Sequence, residues 1–293
     1  MQDNQADRVE PSRAVRERSI GAIIAETRHL TAEQVESVLA YQKTHSMRFG
    51  EAAIAMGVAS ADDVIFALAQ QYHYPVAQED QKQLAQELVA LNKPFSRQVE
   101  AFRNLRSQII MRVDPSSEGA RRPLAVVSPD VGDGKTFVAA NLAITLAQLG
   151  GRTLLVDADM RSPRLHEVFS LKNGAGLSNI LSGRAENQVI QQATGVPNLF
   201  VLPVGPTPPN PVELVERPAF GLLLNELISK FDHVVVDTPA AAYGSDAGVI
   251  AARCGSVLVV ARRDESRLRT LSQLTTLLQH SRSKILGVLY NEH

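Results

Sequence analysis

The chain has 293 residues, of which 44% are apolar and 21% are charged. This is the composition of a globular protein with enough apolar residues for a large core, and it excludes a mainly disordered chain. The 30 Lys and Arg residues nearly balance the 31 Asp and Glu residues, so the basic excess that attracts nucleic acid is absent and nucleic acid is not expected as a partner. The length favours one large domain plus a small one.

The first 17 residues are predicted to form a mobile polar tail, because few of them are apolar. They lack the apolar core of a secretory signal. The longest apolar stretch, residues 137–150, is too short to span a membrane and is interrupted by Asn141. The single cysteine, Cys254, fits a reducing compartment, and its apolar neighbours predict a buried side chain. We therefore expect a cytoplasmic protein without direct membrane insertion.

Residues 18–76 contain an internal repeat with an offset of 29 residues, which aligns Gly21 with Gly50. In each copy a hydroxyl residue, Thr31 or Ser60, is followed three places later by a Gln or Asp that can cap the first turn of a helix. Each copy is therefore predicted to form a helix, a turn and a second helix.

Beyond the repeat the pattern changes twice. Residues 77–95 are rich in Gln, Glu, Asp and Lys, which indicates a linker with one short helix near residues 82–91. Further on, apolar segments rich in Val and Leu alternate with helical patterns, which predicts an α/β fold with a mostly parallel sheet flanked by helices. The predicted divisions are a tail (1–17), a helical repeat module (18–76), a linker (77–95) and a larger α/β domain (96–293).

The first predicted strand leads through a glycine-containing loop directly into a helix. Such a loop turns backbone N–H groups toward a triphosphate, places the Lys135 ammonium on the β- and γ-phosphates and offers the Thr136 hydroxyl to Mg²⁺. Pro129 replaces the first glycine of the strict motif. A tight turn before a helix is the alternative, but the phosphate motif requires this strand, loop and helix context. The predicted ATP-binding residues are Val131, Gly132, Asp133, Gly134, Lys135, Thr136 and Phe137.

Two later strands are followed by aspartates, Asp157 and Asp159 after one and Asp237 after the other. Ligands of a parallel sheet collect at the carboxyl ends of its strands, so these carboxylates can converge on one nucleotide and one Mg²⁺. Aspartates also follow strands because they favour turns. The phosphate loop in the same chain favours the first interpretation.

Several segments resemble the bacterial tyrosine kinases of polysaccharide export, the BY-kinases. Residues 157–161 (DADMR) resemble their second Walker A motif, called Walker A′, and residues 237–239 (DTP) resemble their Walker B motif. Residues 176–183 and 202–214 are also typical of that family, and the resemblance extends over residues 95–293. It implies a P-loop NTPase fold and transfer of the ATP γ-phosphoryl group to a tyrosine.

The resemblance also implies a role for each candidate catalytic residue. Lys135 would neutralise the phosphates and Thr136 would bind Mg²⁺ directly. Asp159 and Asp237 would hold the ion directly or through water, and Asp157 would accept the tyrosine proton.

Glu100, Arg103 and Arg106 resemble the ExxRxxR motif with which these kinases assemble into rings. Steps of three residues place the three side chains on one face of a helix. The alternative is a solvated helix with a local Glu100–Arg103 pair. The family also implies a homo-oligomer and a separate transmembrane partner, the polysaccharide chain-length determinant, which would recruit the chain to the inner face of the membrane.

The tyrosine-rich tail that these kinases usually carry has no counterpart, which makes tyrosine autophosphorylation a weaker expectation than ATP binding. An ATP-gated assembly module without kinase activity is therefore an alternative function. A MinD- or ParA-like ATPase is a third, disfavoured because Asp130 replaces the signature lysine of that group. The tyrosines available as acceptors are Tyr41, Tyr72, Tyr74, Tyr243 and Tyr290.

The repeat module resembles the N-terminal domain of type II secretion ATPases, some of which bind cyclic-di-GMP. Residues 48–50 (RFG) come close to their Arg-Leu-Gly motif, whereas residues 19–21 (SIG) lack the arginine. We expect a protein-docking module, with cyclic-di-GMP as the alternative ligand. A helical module ahead of such a catalytic domain resembles the kinases of exopolysaccharide chain-length determination, and it implies a role in polymer length or export.

Overall fold

The computed structural model divides into two compact units, residues 1–74 and 75–293. The residues that it describes are 19–71, 85–112, 122–184, 189–281 and 283–292. The predicted tail and residues 77–84 of the predicted linker lie outside these ranges.

The first unit consists, in its described part, of four helices arranged as two helix–turn–helix copies, which confirms the prediction from the repeat. Thr31 and Gln34 form the predicted cap: the Gln34 N–H donates to Thr31 Oγ1 at 3.3 Å, and the Thr31 N–H donates to Gln34 Oε1 at 2.9 Å. Ser60 and Asp63 repeat this exchange in the second copy. The helices are α1 (Ile20–Thr27), α2 (Ala32–His45), α3 (Phe49–Ala55) and α4 (Ala61–Gln71).

The two glycines that the repeat aligns lie where helices approach closely. A Cβ atom on Gly50 would lie 2.7 Å from Val64 Cγ1 of α4, closer than packed side chains allow. A Cβ atom on Gly21 would lie 3.4 Å from the Phe49 ring of α3. The repeat therefore keeps a small residue at a helix contact in each copy.

The second unit is built on a sheet that has seven strands in the described residues, in the order β3-β4-β2-β5-β1-β6-β7. The short strand β3 runs antiparallel to β4, and all other neighbouring strands are parallel. This confirms the predicted P-loop NTPase architecture, although β3 has only two residues and gives no recognisable pattern. The strands are β1 (Leu124–Val127), β2 (Thr153–Asp157), β3 (Gln191–Gln192), β4 (Leu199–Leu202), β5 (His233–Asp237), β6 (Ser256–Arg262) and β7 (Lys284–Asn291).

Helices cover both faces of this sheet. Leu124 and Val126 of β1 belong to the core on one face, and Ala125 and Val127 belong to the core on the other. The continuous apolar strands are therefore buried on both faces of the sheet, as predicted. The helices are α5 (Val89–Asn92), α6 (Arg97–Arg112), α7 (Lys135–Ala147), α8 (Leu165–Val168), α9 (Leu177–Leu181), α10 (Pro211–Glu216), α11 (Pro218–Lys230), α12 (Asp246–Cys254) and α13 (Leu268–His280), with a 3₁₀ turn at Ala241–Tyr243.

The linker prediction for residues 77–95 is wrong in its described part. Leu88, Ala90 and Leu91 are completely buried in the core that also contains α7. The helix expected near residues 82–91 comprises, where described, only α5, which follows a turn. The polar composition of the region concealed a short apolar cluster, which is enough to attach the segment to the domain.

Candidate nucleotide-binding site

The phosphate loop connects β1 to α7 and has the backbone that its glycines predict. Gly132 and Gly134 have φ angles of 88° and 95°, which glycine adopts without a steric penalty. Helix α7 begins at Lys135, so the N–H groups of its first turn have no partner within the helix and can bind an anion. The Lys135 side chain is largely buried.

Residues far along the chain hold this loop in place. The Asp133 carboxylate accepts a hydrogen bond from the Asp130 N–H at 2.8 Å and from Ser266 Oγ at 2.7 Å. Asn291 Nδ2 at the end of β7 donates to the Asp133 carbonyl at 3.0 Å. A Cβ atom on Gly134 would overlap this Asn291 amide. The sequence analysis missed Ser266 and Asn291, although Asn291 ends an apolar strand, where ligands of such sheets gather.

Thr136 and Asp237 meet directly across the loop. Thr136 Oγ1 donates to Asp237 Oδ2 at 2.7 Å, while the buried Asp237 Oδ1 has no hydrogen-bond partner among the described residues. Burial raises the pKa of Asp237 to about 7, against the lowering effects of the Thr136 hydrogen bond and the Lys135 charge. A hydroxyl beside an unsatisfied carboxylate oxygen fits Mg²⁺, which takes few protein ligands together with nucleotide phosphates.

Asp157 is completely buried at the end of β2, opposite Asp237 in the parallel register of β2 and β5. Its carboxylate accepts hydrogen bonds from the N–H groups of Asp159 at 3.2 Å and Leu165 at 3.1 Å. Burial, followed by the charge of Asp237, raises the pKa of Asp157 well above its usual value. A carboxylate in this environment is a suitable proton acceptor.

Asp159 is held by the turn that follows β2. Its Oδ1 accepts hydrogen bonds from the N–H groups of Arg161 at 3.1 Å and Ser162 at 2.9 Å. Its charge raises the pKa values of both Asp157 and Asp237, so the predicted aspartates do lie together. Within the described residues, no three His, Cys, Asp or Glu side chains could hold a metal ion by themselves. Nucleotide phosphates would complete the coordination of a Mg²⁺ ion held by Thr136 and these carboxylates.

An ion pair that the sequence analysis did not identify fixes the same turn. Arg161 donates from Nε and Nη2 to the carboxylate of Asp246 at 3.0–3.2 Å, and Asp246 is almost completely buried at the start of α12. The Tyr243 ring lies 6.0 Å from the Arg161 guanidinium. The pair therefore ties the Asp159 turn to the helix after β5.

The three residues predicted to mediate oligomerisation do not all lie on an exposed charged face of α6. Arg103 Nη2 donates to the Pro94 carbonyl and Arg106 Nη1 to the Thr145 carbonyl, each at 2.7 Å. Glu100 pairs with Arg103, and its side chain is more than half exposed. The two arginines therefore hold α6 against its own domain, and Glu100 is the residue of the motif that faces solvent.

Other predicted residues occupy simpler surroundings. Phe137 packs edge-on against Phe102, with ring centroids 5.6 Å apart, so its side chain belongs to the core beneath the loop. Val131 is 60% exposed at the tip of the loop. Cys254 is buried as predicted, and burial raises the pKa of its thiol. In the part of the chain that the structure describes, no helix has the length and apolarity needed to cross a bilayer.

Two of the described tyrosines that could act as acceptors are exposed. Tyr243 is 43% exposed in the 3₁₀ turn, and Tyr290 is 59% exposed within β7. Tyr41 stacks on His45 within α2. Tyr72 and Tyr74 lie outside the described residues.

A glycine loop between a buried parallel strand and a helix, with aspartates at the ends of neighbouring strands, defines a P-loop nucleotide-binding domain. Residues 124–293 match the family model described as the CobQ/CobB/MinD/ParA nucleotide binding domain. The chain is 35% identical over 201 residues to the putative tyrosine-protein kinase CapB of Staphylococcus aureus, an alignment that covers 69% of this chain and 87% of CapB. The chain belongs to the CobQ/CobB/MinD/ParA family and, within it, to the bacterial P-loop tyrosine-protein kinases.

Solved structures agree with this assignment. The kinase domain of the Escherichia coli tyrosine kinase ETK is 33% identical with a TM-score of 0.66, and the match covers 70% of this chain and 79% of that one. The septum site-determining protein MinD of Pyrococcus horikoshii, complexed with Mg-ADP, is 26% identical with a TM-score of 0.51, covering 59% of this chain and 70% of that one. The resemblance to tyrosine kinases found in the sequence is confirmed.

Proposed function

We propose that this chain transfers the γ-phosphoryl group of ATP to a tyrosine hydroxyl, with Asp157 as the general base. The observation that carries the proposal is a buried carboxylate with a raised pKa on the same sheet edge as the phosphate loop. Membership of the tyrosine-kinase family supports the choice of acceptor.

Each residue of the site has a role in this proposal. The Lys135 ammonium and the first N–H groups of α7 neutralise and orient the phosphates. Asp157 accepts the proton of the attacking tyrosine hydroxyl. Thr136 and Asp237 would hold Mg²⁺, with Asp159 acting directly or through water. An ion held there would supply positive charge against the negative charge that develops on the phosphate oxygens.

The wider setting of the activity is also a proposal. By its resemblance to the kinases of polysaccharide export, the chain acts in exopolysaccharide chain-length control, at the inner face of the membrane. A transmembrane chain-length determinant recruits it there, and the chain forms a homo-oligomeric ring. The exposed Glu100 supports a contact with a neighbouring subunit.

The test of the kinase is mass spectrometry of the purified chain after incubation with Mg-ATP, with and without the cytoplasmic part of the membrane partner. We expect phosphotyrosine in the wild type and its loss in Lys135→Met and Asp157→Asn. The matched control is Glu226→Gln, an exposed change on α11. ATP binding without phosphotyrosine in either mixture would contradict the proposal and favour the ATP-gated assembly module.

Ring formation is tested by light scattering at high protein concentration. We expect an oligomer that Glu100→Ala dissociates and that Glu226→Ala, a loss of the same charge elsewhere on the surface, leaves intact. A wild-type monomer would contradict the ring.

For the first unit we propose protein docking, with cyclic-di-GMP as the alternative ligand. Phe49 and Gly50 of the predicted motif already take part in helix packing, since Phe49 lies against Gly21 and Gly50 against Val64, and this supports a structural role. Titration calorimetry with tens of micromolar cyclic-di-GMP tests the choice between protein docking and dinucleotide binding. Heat that saturates with one or two ligands per chain would overturn the choice.

A further inference from the structure

The first described segment of the second unit is attached to the helix that follows the phosphate loop. We call residues 85–95 the docking segment. Asn141, in the middle of α7, is completely buried. Both the nitrogen and the oxygen of its side-chain amide form hydrogen bonds with this segment. Its Nδ2 donates to the Glu87 carbonyl and its Oδ1 accepts from the Ala90 N–H, each at 2.9 Å. Nδ2 also donates to the Phe137 carbonyl at 2.9 Å.

An apolar side chain at position 141 would fill the same space without a desolvation cost. A buried amide is tolerated only when its polar atoms are bonded, and then it selects one alignment of the groups that bond it. Asn141 therefore specifies where the docking segment lies along α7, and Arg103, which donates to the Pro94 carbonyl, secures the far end of that segment.

Glu87, close to the N-terminal end of the docking segment, is connected to the proposed base Asp157 through an ion pair with Arg164. Glu87 Oε1 lies 2.8 Å from Arg164 Nη2, and both side chains are partly exposed. Arg164 precedes α8, and the next residue, Leu165, donates its N–H to Asp157 Oδ2 at 3.1 Å. The Leu165 side chain is completely buried in the core that holds the docking segment.

We propose that Asn141, Glu87 and Arg164 are positioning residues that hold the Leu165 N–H on the carboxylate of Asp157, so that the docking segment sets the geometry of the catalytic base. The proposal rests on the proposed function, because it assigns these residues to the orientation of its general base. Misplacement of a catalytic group lowers the rate even where the mutated residue is remote from the reaction.

The test is a charge exchange in the full-length chain. Glu87→Arg and Arg164→Glu each replace the attraction by a repulsion. We expect kcat for phosphotyrosine formation to fall about two- to fivefold in each, the range of a partly exposed ion pair, with KM for ATP unchanged. The double variant restores the pair in reverse and should recover kcat to within about twofold of the wild type.

The matched control is the same exchange in Glu226 and Lys230, an exposed ion pair at 2.5 Å on α11. Those variants should leave kcat unchanged. If the Glu87 and Arg164 single variants also leave kcat unchanged, or the double variant fails to recover it, the proposal is wrong.

Amide hydrogen exchange at Leu165 in the nucleotide-free chain separates this proposal from the proposed function, because it needs no catalysis. We expect faster exchange of the Leu165 N–H in both single variants and recovery in the double variant. This result without any phosphotyrosine in the wild type would leave the positioning intact and refute the kinase. Unchanged exchange in an active kinase would refute the positioning alone.

Discussion

The two units treat buried carboxylates in opposite ways. In the first unit Asp63 is nearly buried, but it accepts hydrogen bonds from Ser60 and pairs with Arg28 at 2.7 Å. Burial opposes its charged form, and the Arg28 and Ser60 interactions outweigh that effect, so the pKa of Asp63 is lowered.

In the second unit, Asp157 and Asp237 are buried near one another and the pKa of each is raised. The first arrangement stabilises its unit. The arrangement in the second unit lowers the stability of the nucleotide-free protein, because negative charge is concentrated in a buried site where a bound ligand can compensate it.

The largest expected effect is on catalysis. Asp157→Asn removes the proton acceptor while keeping the size of the side chain, so kcat should fall by about 10²- to 10⁴-fold. ATP affinity, measured by titration calorimetry, should change little because Asp157 is not expected to bind the phosphates. An active Asp157→Asn variant would assign the base to another residue.

A substitution at Asp237 tests most directly whether the nucleotide-binding site lowers the stability of the nucleotide-free protein. Its pKa is raised from its usual value to about 7, so the folded protein binds more protons than the unfolded chain between about pH 4 and 7, and stability falls as pH rises through that window. Asp237→Asn should therefore stabilise the nucleotide-free protein at pH 8 by roughly 1–3 kcal/mol, although it removes a proposed Mg²⁺ ligand.

Urea unfolding without nucleotide or Mg²⁺ measures this gain. The gain should shrink at pH 5.5, where Asp237 is mostly protonated in the wild type as well. Equal stability of the variant and the wild type at pH 8 would show that the site carries no such cost.

Asn291 tests the support of the phosphate loop from the end of the last strand. Asn291→Ala leaves the Asp133 carbonyl without its 3.0 Å hydrogen bond, and the loss of such a bond to a buried group costs about 1–2 kcal/mol. We expect ATP affinity to weaken about tenfold, measured by calorimetry. Asn198→Ala, a change of the same type in the loop before β4, serves as the control and should bind ATP as the wild type does.

The smallest effect is expected in the first unit. Asp63→Asn removes a carboxylate that is stabilised in its charged form, so it should destabilise the first unit by about 1 kcal/mol at pH 7. Because the pKa of Asp63 is lowered, this contribution is present above the unfolded value and is lost as pH falls through the folded value. Amide exchange in α1 and α4 at pH 7 and pH 3 measures it. A stabilising Asp63→Asn would remove the contrast between the units.

Local patterns in the sequence predicted much of this protein. Hydroxyl residues followed three places later by Gln or Asp identified the starts of α2 and α4, because a cap depends only on neighbouring residues. Apolar triplets followed by aspartates placed Asp157 and Asp237 at one sheet edge, because strand ends of a parallel sheet meet there.

The linker prediction failed at Leu88 and Leu91, since composition averages over a segment while burial depends on what it packs against. Arg103 and Arg106 were expected on a charged surface for a related reason. Helical periodicity shows that side chains share a face. Only the tertiary structure brings the Pro94 and Thr145 carbonyls to Arg103 and Arg106, while Glu100 of the same motif stays exposed.

The sequence by itself predicts the order of the elements, the phosphate loop and the aspartates after the strands, because these depend on short-range periodicity, capping and turn chemistry. It does not predict the contacts that support the site, because Ser266 and Asn291 contact Asp133 from positions more than 130 residues away. The raised pKa values of Asp157 and Asp237 likewise arise from burial, to which the charge of Asp237 adds for Asp157 and the charge of Asp159 adds for both. Both are properties of the packed structure, since desolvation and long-range hydrogen bonds exist only once the chain has folded.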